Sequence, residues 1–178
     1  MENFISSYEI LSKTEGFVYE KNDCVVKAMA VSYNIDYGDA YTLVKNVMFR
    51  QRGRGTTLTN MVSYFNRSVN WKTIGYTGKK MCKFYAKYNK SGLHSNTNLR
   101  DTIFDDRQPF IVKYNKRTSE VSIKSYTVKS FRETYNKGTY LVLVSGHAFV
   151  IKDGTIIGNE CDGIRLRRPI QRAFKYIG

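Results

Sequence analysis

Two residues of this chain carry the chemistry worth pursuing first, Cys24 and His147. Cys24 stands in Asn22-Asp23-Cys24-Val25-Val26-Lys27-Ala28, and His147, one of only two histidines, stands in Gly146-His147-Ala148-Phe149-Val150-Ile151-Lys152-Asp153-Gly154. Asn22 and Asp23 are good N-cap residues ahead of an apolar run, so a helix is expected over 23–34 with Cys24 in its first turn. A thiol there meets unsatisfied backbone N–H groups and the positive end of the helix dipole, and both favour thiolate over thiol. His147 falls in a strand that runs into Asp153-Gly154, a strong hairpin signal. If Lys152-Asp153-Gly154 forms a three-residue loop, Ile151 pairs with Thr155, Phe149 with Ile157 and His147 with Asn159. Paired residues share a face of the sheet, so Asn159 would then hold the imidazole in one tautomer and orientation. A two-residue loop places Glu160 opposite instead, and Asp162 is a third candidate slightly further on. A cysteine at a helix start, then a strand histidine, then Asn or Asp some 12 to 15 residues later is the order that a Cys-His-Asn/Asp nucleophilic site requires.

The elements that must position these side chains follow from the hydrophobic pattern. Beyond the Cys24 helix, Ala40, Leu43, Val44, Val47 and Met48 recur at helical spacing and predict a helix over 37–50, ended by Gly53-Arg54-Gly55. A third helix is expected after Thr56 or Thr57, over Leu58, Met61, Val62 and Phe65. After Trp71 the pattern changes to short β-like runs, at 110–114, 121–128, 140–145, 147–151 and 155–157. Helices first and strands afterwards predict an α+β domain, with N-terminal helices (about 1–70) packed on a C-terminal antiparallel β-sheet (about 71–178). No repeat, low-complexity tract or Pro/Ser-rich linker invites a cut within the 178 residues, so one domain is expected. A cleft between the two parts is the natural place for a site.

Composition narrows the class. With 42% hydrophobic residues, 13 Gly and 2 Pro, the chain is that of an ordered globular protein. Its longest apolar run, 141–151, is 11 residues and is broken by Ser145, Gly146 and His147, against the roughly 20 that a membrane span needs. No membrane partner is expected. Glu2, Glu9 and Glu15 near the start do not fit a signal peptide, which points to a cytoplasmic location. Three cysteines at spacings matching no disulfide or zinc pattern suit a reducing compartment, with Cys82 and Cys161 taken as structural. No metal and no cofactor is expected, because Cys-x-x-Cys and paired-His motifs are absent and Asp105 and Asp106 lack the partners of a metal nuclease.

Charge is uneven. Residues 1–40 hold 3 basic and 7 acidic residues, a net of −4, and the remaining 138 hold 26 basic and 8 acidic, a net of +18, which together give the overall +14. That excess predicts attraction to nucleic acid or another polyanion. Two segments could supply it: residues 79–90, where lysines interleave with Phe84, Tyr85 and Tyr88, and the cluster Arg165, Arg167 and Arg168 with Arg172 and Lys175. Gly53-Arg54-Gly55-Thr56-Thr57 ahead of a helix lacks the Gly-Lys-Ser/Thr of a phosphate loop and reads as a connection. Abundant Lys, Asn, Tyr and Ile give the chain the flavour of an AT-rich, phage-like genome.

Asn22-Asp23-Cys24-Val25-Val26-Lys27-Ala28 opening a helix, with Gly146-His147-Ala148-Phe149-Val150 leading into an Asp-Gly hairpin, resembles the papain-like cysteine peptidase superfamily. Within it, the compact bacterial and phage branches that include bacteriocin-processing peptidases are the most similar. The resemblance covers the order of elements over most of the chain and rests on about 25 residues of motif. It implies Cys24 as nucleophile, His147 as general base, and Asn159 as the orienting residue with Asp162 in reserve. In that superfamily a polar side chain just upstream of the nucleophile joins its backbone N–H in the oxyanion hole. The expected Gln about six positions upstream is replaced here by the Phe17-Val18 neighbourhood, and Asn22 is the substitute. The implied function is a peptidase or isopeptidase acting on protein or peptide through a thioester, in the host cytoplasm or virion if phage-encoded. Transglutamination or acyl transfer would use the same residues. The alternative is an inactive version of the fold that binds nucleic acid or a host partner through its basic surface.

Overall fold

The run Cys-Val-Val-Lys-Ala-Met-Ala-Val is apolar on nearly every side, and a helix built from it has to be buried. In the computed structural model, which describes residues 3–74, 110–115 and 120–178, it forms the central helix of the molecule. Stretch 79–90, Cys82, Asp105 and Asp106 lie outside the described residues. A short strand β1 (Phe4–Ser6) and helix α1 (Ser7–Leu11) precede the central helix α2 (Cys24–Tyr33), and α3 (Tyr37–Met48), α4 (Leu58–Arg67) and β2 (Trp71–Thr73) follow. Then come β3 (Phe110–Asn115), β4 (Glu120–Ser125), α5 (Val128–Thr134), β5 (Thr139–Val144), β6 (His147–Lys152), β7 (Thr155–Gly158), a one-turn 3-10 helix (Glu160–Asp162) and β8 (Arg172–Tyr176).

Six strands form one sheet in the order β1-β7-β6-β5-β8-β2, and β3 and β4 pair as a separate antiparallel ribbon. The chain is therefore α+β. The sheet is mixed, not purely antiparallel, because β1 enters from the N-terminal end and pairs in parallel with β7, Ile5 against Ile157. A three-residue strand carries too few residues for alternation to reveal it. The two parts are also less segregated along the chain than expected, since β1 lies in the sheet and α5 falls among the strands.

Alternation on the central strands builds two cores. Leu141, Leu143, Ala148, Val150 and Phe174 face α2, α3 and α4, with Val26, Met29, Val44 and Phe65 completing that layer. Tyr140, Val142, Phe149, Ile151 and Ile156 face the other way, onto Val128 and Phe131 of α5 and onto Ile170. Each large apolar side chain fully buried in this way contributes roughly 1.5–3 kcal/mol. Helix ends are set by backbone geometry. Asn34 and Phe49 close α2 and α3 in the left-handed conformation, at φ 54° in both cases, so α3 stops two residues short of Arg50 and well before the glycines. Thr57 caps α4 through its side chain, which accepts from the N–H of Asn60. Among the described residues no helix is long and apolar enough to cross a membrane.

Candidate functional site

Cys24 is the first residue of α2, so its own N–H has no partner within the helix. The position is fixed from below by Asp23, which is 5% exposed. Its carboxylate accepts from the Tyr37 hydroxyl at 3.0 Å and pairs with Lys27 Nζ at 3.1 Å, so it ties the start of α2 to α3 and does not cap the helix. Burial, then the charge and hydrogen bond of Asp23, push the Tyr37 phenol well above its ordinary range and keep it a donor. Glu20, just upstream, pairs with the buried Arg50 at 2.9 Å and accepts from the N–H of Gly53, clamping the 50–53 loop against the chain before the helix.

The hairpin that carries His147 uses the shorter of the two turns. Lys152 pairs with Thr155, Ile151 with Ile156 and Val150 with Ile157, so Asp153 and Gly154 alone make the turn. Both have positive φ, 47° and 77°, the geometry whose twist matches that of the flanking strands. The pairing of His147 with Asn159 that a three-residue loop would give is therefore not formed. Nor does Glu160 come opposite as a strand residue, because β7 ends at Gly158 and the chain coils into the 3-10 turn.

That turn brings Asp162 to the imidazole. His147 Nε2 lies 2.8 Å from Asp162 Oδ2, and Asp162 is fully buried. The same oxygen accepts from the N–H of Asn159 at 2.8 Å, so Asn159 serves the carboxylate through its backbone. The other oxygen accepts from Arg168 Nη2. The Cys24 thiol lies close enough to the imidazole to act on its protonation, and with Nε2 held by Asp162 the ring nitrogen left without that partner is Nδ1. Burial by itself would lower the His147 pKa. The hydrogen bonds and charges of Asp162 and Cys24 outweigh it and push the imidazole up to about 9. Burial would raise the Asp162 pKa, but the imidazole, the guanidinium and the Asn159 N–H together hold the carboxyl below its usual range.

Of the sequence-derived residues, the fold thus brings Cys24, His147 and Asp162 together, with His147 hydrogen-bonded to Asp162 and the thiol beside the imidazole. It does not bring the Asn159 side chain to the imidazole. Asn22, with φ 61°, is exposed and its carboxamide donates to the carbonyl of Gly53 at 3.4 Å. Arg165 and Arg167 are exposed, whereas Arg168 turns inward onto Asp162 and leaves the expected basic cluster one member short. Two contributors to the site were not read as such from the sequence: Arg168, which was placed in the basic cluster, and Gly158, which was not singled out. A Cβ on Gly158 would sit 2.9 Å from the Cβ of Phe149 and overlap the Asp162 carboxylate. The Asn159-x-x-Asp162 spacing of a capping box, directly after that glycine, was the available signal for the turn. Gly158→Ala is expected to cost about 1–3 kcal/mol and to push Asp162 off His147. Equal unfolding midpoints for the variant and the parent in urea would contradict this crowding.

A small cavity of about 10 Å³, room for about one water, lies beside Cys24 between Ser7, Lys27, Ala148 and Gly158. Among the described residues no group of His, Cys, Asp or Glu is arranged to hold a metal ion. The chain can polarise a thiol. If His147 is neutral, Nε2–H donates to Asp162 and Nδ1 is free to take the thiol proton, which leaves a thiolate beside an imidazolium. No protein-family model, curated protein or solved structure gives a significant match to this chain.

Proposed function

We propose that this protein is a papain-like thiol hydrolase, a cysteine peptidase or isopeptidase in which Cys24, His147 and Asp162 form the catalytic set. One observation carries the reading: an imidazole with Nε2 held by a fully buried carboxylate stands beside a thiol on the first residue of a buried helix, close enough for the thiol to act on its protonation. Stability does not explain such a chain. Desolvating a carboxylate, an imidazole and a guanidinium together is costly, and an apolar cluster of the same volume is often as stable or more so. The apolar core already holds the sheet to the helices, so the polar chain is there for its chemistry.

In the reaction, Sγ attacks an acyl carbon while the negative charge on the carbonyl oxygen is met by the Cys24 N–H. The bond from the acyl carbon to the leaving amine breaks, and the amine takes the proton held on His147. Water then attacks the thioester, gives its proton to His147, and releases the acid and the free thiol. An amine in place of water would give acyl transfer from the same intermediate. Asn22 is the upstream amide that could join the oxyanion site once released from Gly53, and the backbone N–H is the donor already in place.

Incubation with p-nitrophenyl acetate tests the reading. A burst of one equivalent of p-nitrophenol, with the acetyl group found on the Cys24 peptide and lost in Cys24→Ala, is the expected result. Release that is unchanged in Cys24→Ala, with acetyl groups on lysines alone, would overturn it and favour an inactive binding fold.

A further inference from the structure

Arg168 was expected on the surface, and the fold spends it inside. Its backbone is fastened at both ends of the peptide unit, its N–H donating to Arg165 O at 3.2 Å and its carbonyl accepting from Val128 N at 3.0 Å. From there the side chain, 21% exposed, runs inward. The guanidinium passes over the Phe149 ring at 5.8 Å and ends on Asp162 Oδ1, and the same ring is stacked on His147 with centroids 6.1 Å apart. Phe149 therefore forms a common floor under the imidazole and the guanidinium, and Asp162 bridges the two at their far edges. Asp162 sits on a 3-10 turn of three residues, which has little stiffness of its own. Among the described residues, the other holds on its carboxylate are the Asn159 N–H and His147 itself, both on Oδ2.

We propose that Arg168 is a positioning residue for the site, which fixes the rotamer of Asp162 by holding Oδ1 so that Oδ2 stays on His147 Nε2. The inference rests on the thiol-hydrolase reading for its purpose, and on the Asp162 geometry for its content. An arginine with that task is not available to a phosphate, so of the three arginines in this turn only Arg165 and Arg167 are left exposed to a polyanion.

The charge and the geometry of Arg168 have opposite consequences, and that makes the idea testable. As a nearby positive charge, Arg168 disfavours the imidazolium, and its removal would raise the His147 titration midpoint. As a strut for Asp162 it favours the imidazolium, and its loss lets the carboxylate swing away and lowers the midpoint. Arg168→Lys keeps the charge but not the planar fork, and Arg168→Met removes both. Ring ¹⁵N spectra against pH are readily assigned, because the chain has only His94 and His147. Both variants are expected to lower the His147 midpoint and to slow iodoacetamide alkylation of Cys24 at pH 7 by about tenfold, with Arg168→Lys the milder. A midpoint that rises in Arg168→Met and is unchanged in Arg168→Lys would overturn the proposal, as would alkylation profiles that superpose on the parent. Should Arg168→Met fail to fold, Arg168→Lys alone decides, since a fall in midpoint at constant charge reports geometry. If the parent protein itself shows no His147-dependent Cys24 reactivity, the hydrolase reading has failed. The ring spectra still report whether Arg168 holds Asp162 to His147.

Discussion

Asp162→Ala is expected to slow Cys24 alkylation at pH 7 by about 100-fold and, in the same protein, to cost about 3–5 kcal/mol of stability. The two losses have one cause. Asp162 is fully buried and bonded at once to His147, Arg168 and the N–H of Asn159. Truncation leaves a guanidinium, an imidazole and a backbone N–H in the interior without an acceptor. It also frees the imidazole to adopt the tautomer that presents a hydrogen, and not a lone pair, to the thiol. Asp162→Asn keeps the shape and one acceptor oxygen, so it should retain more stability than alanine while still slowing alkylation. Urea unfolding and timed alkylation of the two variants give both numbers. An Asp162→Ala protein as stable and as reactive as the parent would remove the carboxylate from the account.

Stability should also follow the protonation of the same groups. The His147 pKa is raised from 6.5 to about 9 by the fold, so the folded protein holds its proton more tightly than the unfolded chain does. That preference stabilises the fold in full below pH 6.5 and is lost as pH rises through about 9, a change of roughly 3 kcal/mol at most. Asp162 works in the opposite sense. Its pKa is depressed from 3.8, so its contribution is present above pH 3.8 and disappears as pH falls through the lower, folded value. Unfolding free energies measured from pH 3 to pH 10 should therefore form a plateau with an alkaline decline, and His147→Ala should flatten that decline. An alkaline limb of equal size in His147→Ala would mean that other groups produce it.

The helices around the site were legible because their signals are local. Asn22 and Asp23 before an apolar run placed Cys24 within one residue of the start of α2, and Thr57 before Leu58 placed α4. The strands at 139–144, 147–152 and 155–158 were legible from continuous apolar runs punctuated by Gly146 and Asp153-Gly154. What failed was register. Asp153 takes a positive φ that only Gly, Asn and Asp tolerate well, and this shortens the turn from three residues to two. The shift moves the residue opposite His147 from 159 to 160, past the end of β7, so the partner comes from the following turn and not from the ladder. The inward turn of Arg168 was illegible for a different reason. Arg165, Arg167 and Arg168 are alike in type, and only the tertiary course that fastens the Arg168 carbonyl to Val128 separates the inward one from the other two. β1 and α1, of three and five residues, are too short for any periodicity to register, and their places are set by β7 and α2.

The central claim is that Cys24 and His147 act as a pair. Its most direct test is the pH dependence of iodoacetamide alkylation, followed peptide by peptide in the native protein and in His147→Ala, with Cys161 as an internal comparison. The account predicts that native Cys24 alkylates well below pH 8 and that this reactivity disappears in His147→Ala, while the profile of Cys161 is the same in both proteins. A Cys24 that stays silent until the protein is unfolded, or that reacts identically with and without His147, would make it a core residue and contradict the assignment of this site.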